Sequence, residues 1–157
     1  MGLKFFRRRQ DTEGPVPTEM SGAKERYNAY FPRLFAYVRS CVGGDMPAQE
    51  IMVQAFYQAF RRAGGRDEDR FRTVLFRSAR RLCRPTLQDH RSEDGDPLNA
   101  SEREVISLVF DAGLTREQIA RLFRIRPTTV SSLLMAALRK LKEQTSAAAA
   151  PAYLKLA

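Results

Sequence analysis

An all-α fold built from two small helical units is predicted by three observations. Apolar residues recur at three- and four-residue steps along most of the chain. No alternating apolar and polar run of useful strand length interrupts them. Capping pairs, prolines and glycines punctuate the starts and stops of the periodic segments. With 157 residues, the chain has room for one ordinary domain or two small helical ones. The expected division is a disordered basic tail at 1–20, a helical bundle at 21–85, an acidic linker at 86–99, a helix-turn-helix at 100–144 and a flexible tail at 145–157.

The first twenty residues carry Lys4-Phe5-Phe6-Arg7-Arg8-Arg9 and Pro15-Val16-Pro17, a composition that packs no core. From Ala23 to Val42, Tyr27, Tyr30, Phe31, Leu34, Phe35 and Val38 form one apolar stripe, and Gly43-Gly44 closes the helix. Pro47 opens a second helix rich in Ile51, Val53, Ala55, Phe56, Ala59 and Phe60, which ends near Arg62 and Gly64-Gly65. A third is expected from about Asp69 to Arg84, with Phe71, Val74, Leu75, Phe76 and Leu82 inward. Its arginines, Arg70, Arg72, Arg77, Arg80, Arg81 and Arg84, are left for solvent or phosphate, and Pro85 should stop it. The segment Thr86 to Asn99 is polar and acidic, a linker by composition.

Beyond the linker, Ser101 and Glu104 have the spacing of a capping box, which places a helix start at Ser101. Asp111-Ala112-Gly113 ends that helix with a glycine able to adopt positive φ. Thr115 and Gln118 repeat the capping spacing for the next helix, with Ile119, Ala120 and Leu122 on its buried side. Arg124-Ile125-Arg126 then makes a short turn into a last helix opened by Pro127. Val130, Leu134, Leu138 and Leu141 fill the expected inward stripe of this helix, leaving Ser131, Leu133, Met135 and Ala136 for the other face. The alanine run after Ser146 extends it by a turn before Pro151.

A formal net charge of +9 and an isoelectric point near 10.1 favour a polyanionic partner, nucleic acid first. No apolar run reaches the roughly 20 residues needed to span a bilayer, so stable membrane insertion is not expected and the cytosol is the expected compartment. Cys41, Cys83 and the single histidine, His90, cannot supply a four-ligand zinc site, and the cysteines read as small buried hydrophobes. No cofactor is expected. Enzyme chemistry is disfavoured, because no nucleophile, base and orienting group suggest themselves together and the one histidine lies in the polar linker. No glycine-rich phosphate loop follows a strand.

The segment from Ser101 to Lys142 resembles the promoter-reading C-terminal domain of extracytoplasmic-function (ECF) sigma factors of the sigma-70 family. The likeness lies in its SEREV opening, its GLTREQIA turn and helix, and its TVSS and ALRKLKE ending. Upstream, YFPRLFAYVR at 30–39, AQEIMVQAFYQAF at 48–60 and FRTVLFRSARRL at 71–82 resemble the first sigma domain in the right order. The resemblance implies a sigma factor that directs promoter recognition and transcription initiation, with core RNA polymerase and promoter DNA as partners and an anti-sigma factor as inhibitor. It implies polymerase docking by Gln49, Glu50, Val53 and Gln54. DNA contact is assigned to Arg70, Arg72, Arg77, Arg80 and Arg81 of the third helix, and to Arg124, Arg126, Thr128, Thr129, Ser131, Ser132 and Leu133 of the recognition helix and its turn. The glycine-containing segment from Ala63 to Arg70 offers backbone where an extruded base is held, or is a solvated turn.

Three departures from the family pattern keep a second reading open. Arg124 and Arg126 replace the small or glycine turn residue and the hydroxyl cap that the family places before the recognition helix. Glu50 is the only carboxylate between Ala48 and Gln54, where the family presents a more acidic face. Leu133, Met135 and Ala136 stand where the family places basic or polar side chains, and a helix apolar on both faces usually buries the second against something. The alternative is therefore a sigma-like regulator that acts by binding protein, as an anti-sigma mimic or with its DNA face masked.

Overall fold

The computed structural model describes residues 17–65, 67–89 and 95–149. They form six α-helices, with no strand among the described residues: α1 (Pro17–Val42), α2 (Asp45–Ala63), α3 (Glu68–Asp89), α4 (Ala100–Phe110), α5 (Arg116–Phe123) and α6 (Pro127–Ala149). The all-α expectation holds. The basic run at 4–9 and residues 90–94 of the acidic linker, His90 among them, lie outside the described residues.

Helices α1, α2 and α3 pack as a bundle because each presents one apolar stripe to the same centre. Leu34, Tyr37 and Val38 of α1, Ala48, Ala55 and Ala59 of α2, and Phe71, Leu75 and Phe76 of α3 lose essentially all solvent contact. Small alanines on α2 let the aromatic rings of its neighbours approach. Phe71 meets Phe60 at 4.9 Å and Tyr30 at 5.8 Å between centroids, with the Arg26 guanidinium over its ring. The turn from α2 to α3 is pinned from α1. Tyr30 donates to Glu68 at 2.5 Å, while Arg26 donates to Glu68 at 2.8 Å and to the Gly65 carbonyl at 2.6 Å. These bonds hold the Glu68 carboxyl below its ordinary pKa, the Tyr30 bond first, and burial pushes the Tyr30 phenol up to about 12.

Four helix boundaries differ from expectation. Helix α1 begins at Pro17 rather than Ala23. Helix α2 begins at Asp45 rather than Pro47. Helix α3 runs through Pro85 to Asp89, because Pro85 is exposed and water can take the carbonyl that loses its N–H partner. The cap of α4 is Asn99 rather than Ser101: Glu102 donates its backbone N–H to the Asn99 side chain at 2.9 Å, and the Asn99 N–H reaches the Glu102 carboxylate at 2.9 Å. Moving the box by two residues releases Glu104 for a different contact.

Helices α4, α5 and α6 form a second cluster around Val105, Leu108, Ile119 and Val130, all fully buried. It packs on the first bundle through α1 against α4 and α3 against α5, so the buried residues of both form one continuous core. Cys41 and Cys83 are buried and free near this junction. Among the described residues no helix is long and apolar enough to cross a membrane.

Candidate nucleic-acid interface

The turn between α5 and α6 is set by local chemistry. Thr115 and Gln118 cap α5 reciprocally, the Thr115 N–H donating to Oε1 of Gln118 at 3.0 Å and the Gln118 N–H to Oγ1 of Thr115 at 3.2 Å. Gly113, at φ 66°, makes the bend before it. After α5 the chain reverses at Arg124, which sits in the left-handed region at φ 57°, ψ 44° with its N–H returned to the Ala120 carbonyl. The Ile125 N–H shares that carbonyl at 3.0 Å. A residue with a Cβ is strained there, at a cost of about 1 kcal/mol relative to glycine. The start of α4 is tied to the recognition helix by Lys140, which donates to Glu102 at 2.8 Å and, with the Asn99 N–H, holds that carboxyl below its ordinary pKa.

On α6 the inward stripe is Val130, Leu133, Leu134 and Ala137. This corrects the expected stripe and moves Leu133 off the outer face. Steps of about 100° per residue put Leu133 about 60° and Leu138 about 80° from Val130, so Leu133 packs against the core while Leu138 is exposed. The same geometry gathers Thr128, Ser132, Met135 and Arg139 on one outer arc. All four are exposed, Met135 at 64 %. Thr129, Arg124 and Arg126 are exposed beside its N-terminal end. Ser131 is partly turned away: its hydroxyl donates to the Pro127 carbonyl and accepts from Arg116 of α5 at 3.2 Å.

The arginines of α3 separate into two groups. Arg70, Arg77, Arg81 and Arg84 are exposed and recur at i, i+7, i+11 and i+14, so they follow one face within about 60°. Arg81 also donates to Gln58 at 3.0 Å. Arg72 lies off this face, paired with Asp69 one turn earlier. Arg80 is turned to the junction. Its Nε donates to Oε1 of Glu104 at 2.7 Å, its Nη2 to Oε2 at 3.3 Å, and its guanidinium stands 4.2 Å from the Phe123 ring centroid.

On α2, Gln49, Glu50, Val53 and Gln54 are all exposed. Met46, Val53 and Tyr57 are exposed at 73 %, 71 % and 63 %, and with Glu50 they make a continuous outer strip of mostly apolar character. Met46 and Tyr57 escape the sequence reading, as do Arg116 and Arg139, and Arg84 enters it only as one of six helix arginines. Angular spacing from Val53, Arg77 and Thr128 finds Met46, Tyr57, Arg84 and Arg139; only the folded contact with Ser131 finds Arg116.

Residues 96–143 match the family model Sigma-70, region 4. The chain is similar to that family over these residues, about a third of its length. Sigma-70 region 4 is a DNA-binding, promoter-recognising helix-turn-helix of transcription factors rather than an enzyme family, and it interacts in general with DNA and RNA polymerase. The match covers α4, α5 and most of α6, from the residues before the Asn99 cap to Glu143. No curated protein matches the chain.

Proposed function

We propose that the chain is an ECF-type RNA polymerase sigma factor, in which residues 21–85 act as the first sigma domain and 100–144 as the promoter-reading second. The observation that carries this reading is the pairing of a segment matching region 4 with an upstream three-helix bundle bearing two distinct exposed faces. The apolar strip of α2, with Gln49, Glu50 and Gln54 beside Met46, Val53 and Tyr57, fits a protein partner, core polymerase. The arginine face of α3, Arg70, Arg77, Arg81 and Arg84, fits phosphates. The exposed arc of α6 serves as the recognition surface, with Thr128 and Ser132 at its polar end and Met135 at its middle. Thr128, Thr129 and Ser132 offer hydroxyls there to bases or phosphates, with Arg124 and Arg126 beside them. The protein works in the cytoplasm, at the nucleoid, under the control of an anti-sigma factor.

The direct test is reconstitution: the purified chain, added to core polymerase, should compete with another sigma factor for the enzyme. Glu50→Lys should weaken that competition without loss of helicity, since it reverses charge on an exposed face. No binding of core enzyme by the unaltered chain would refute the proposal. Such a result would favour a protein-binding regulator, for which the exposure of Met135 and Leu138 on the outer side of α6 is the supporting observation.

A further inference from the structure

The chain has two cysteines, and the fold brings them together inside the first bundle. Tyr30 of α1 meets Phe71 of α3 at 5.8 Å between ring centroids, and Tyr37 meets Phe76 at 6.2 Å. The two helices therefore run parallel with a register offset of about 40 residues, and Cys41 opposite Cys83 continues that register toward their C-terminal ends. Both thiols are free and belong to the same buried core. Each lies within hydrogen-bonding reach of the other. Their surroundings differ. Cys83 has no solvent exposure, whereas Cys41 keeps 6 % and stands beside the hydroxyls of Tyr37 and Ser40. The hydrogen bond from Cys83 lowers the Cys41 pKa, helped by those hydroxyls, while Cys83, as the donor and by its burial, is pushed well up.

A cysteine that only fills a core needs no second thiol against it, since any small apolar side chain packs there as well. Two thiols on one rung of a helix pair, one reached by solvent and one not, have the arrangement of a sensing cysteine and a resolving one. We propose that Cys41 and Cys83 are a modification site, a dithiol that peroxide converts to a disulfide bridging α1 and α3. The Cys41 sulfur, as thiolate, attacks one oxygen of hydrogen peroxide. The O–O bond breaks, the departing hydroxide takes up the proton that Cys41 released, and Cys41 becomes a sulfenic acid. The Cys83 sulfur then attacks the Cys41 sulfur, the S–O bond breaks, and hydroxide leaves with the Cys83 proton as a second water. Two thiols lose two electrons and one peroxide is reduced to two waters. A thiol reductant reverses the change by exchange. The bond closes a loop that runs from α1 through α2 to α3, so it constrains the unfolded chain and staples the bundle. Cys83 lies between Arg81 and Arg84 in the sequence, so the staple also fixes the helix that carries the arginine face. In a compartment that keeps thiols reduced, the bond exists only while oxidant is present. This chemistry is independent of promoter recognition.

The experiment treats the full chain, reduced and freed of reductant, with hydrogen peroxide. Intact mass and peptide mapping after acid quench identify the product, and thiol titration in denaturant counts what remains. The unaltered chain should lose two hydrogens and both thiols and yield a peptide cross-linked between Cys41 and Cys83. Its melting temperature should rise by about 10 °C and return on reduction. Cys83→Ala should stop the reaction at a Cys41 sulfenic acid, captured by dimedone, whereas Cys41→Ala should leave the Cys83 thiol unmodified at the same dose of peroxide. Circular dichroism checks that both variants fold; should either fail, the mapping of the unaltered chain decides alone. Survival of both thiols in the unaltered chain, oxygen added to Cys41 without a cross-link, or a bond between two chains rather than within one would overturn the proposal. Dimedone capture of Cys83 in Cys41→Ala as fast as that of Cys41 in Cys83→Ala would overturn the assignment of Cys41 as the cysteine that meets peroxide.

Discussion

If the exposed arginine face of α3 meets DNA, its contribution is electrostatic and can be read as a slope. Arg77, Arg81 and Arg84 are exposed on a single face, and among the described residues the only hydrogen bond that ties any of them to another helix is the one from Arg81 to Gln58. Their replacement together by alanine should leave the bundle folded, because surface substitutions of this kind change stability by about 0.5 kcal/mol or less each. Each phosphate neutralised contributes about 0.9 to the slope of log K against log salt. Removing three phosphate-neutralising cations should flatten that slope by about 2.7. Between 50 and 200 mM salt, a difference of about 0.6 in the logarithm, the triple variant should therefore lose about 40-fold less affinity than the parent. Anisotropy titrations at four or five salt concentrations give the slope directly. Arg72→Ala, at a residue paired with Asp69 off the face, is the internal control and should change it little. An unchanged slope in the triple variant, with native circular dichroism, refutes the assignment of this face to phosphate.

Other expectations concern stability and shape. Asn99→Ala should cost about 1 kcal/mol by removing the α4 cap, whereas Ser101→Ala should be nearly silent; thermal melts separate them. Arg124→Gly should raise stability by about 1 kcal/mol by relieving the left-handed strain, while removing a cation beside the recognition helix, so the melting temperature should rise as DNA affinity falls. Leu133→Arg should destabilise by about 2 kcal/mol, since Leu133 packs on the core, whereas Met135→Arg should leave the melt unchanged and raise DNA affinity. For Glu102, whose carboxyl is held below its ordinary pKa first by Lys140, the stabilisation is present above the unfolded value of 4.5 and is lost as pH falls through the lower folded value. Glu102→Gln should therefore flatten the acid limb of a stability profile below about pH 4.5 and leave its basic limb alone.

The order and character of the helices are legible in the sequence because they depend on local patterns. Thr115 with Gln118, Gly113 and Pro127 mark their turns without help from tertiary structure. The cap of α4 is not legible, because Asn99 with Glu102 and Ser101 with Glu104 are overlapping boxes of equal spacing. Folded contacts decide between them: Glu102 as the box residue also receives Lys140, and Glu104 as a helix residue faces Arg80 and Tyr37. The inward stripe of α6 is easily misplaced, since Leu133 and Leu138 differ by only about 20° in their distance from Val130. The α2 strip is half legible: Gln49, Glu50, Val53 and Gln54 are exposed as expected, while Met46 and Tyr57 resemble core by composition.

The arginines of α3 show why composition alone cannot assign a charged surface. All six read as equivalent on the sequence, yet a helix divides them by angle, and only a folded neighbour says what the minority group meets. Arg80 lies about 60° or more from the centre of the face formed by Arg70, Arg77, Arg81 and Arg84. That offset turns it toward α4 and α5, where Glu104 and Phe123 wait. The same guanidinium chemistry suits a phosphate and a carboxylate equally, since both accept a bidentate fork. A residue placed at the border between a DNA-facing surface and a carboxylate-bearing neighbour can therefore be claimed by either. The competition is between an internal anion, present at fixed geometry, and an external one, present only when DNA is near. Since salt screens the exposed phosphate contact more than the partly buried pair, raising ionic strength should favour the Arg80–Glu104 pair, and lowering it should favour a phosphate as the partner of Arg80.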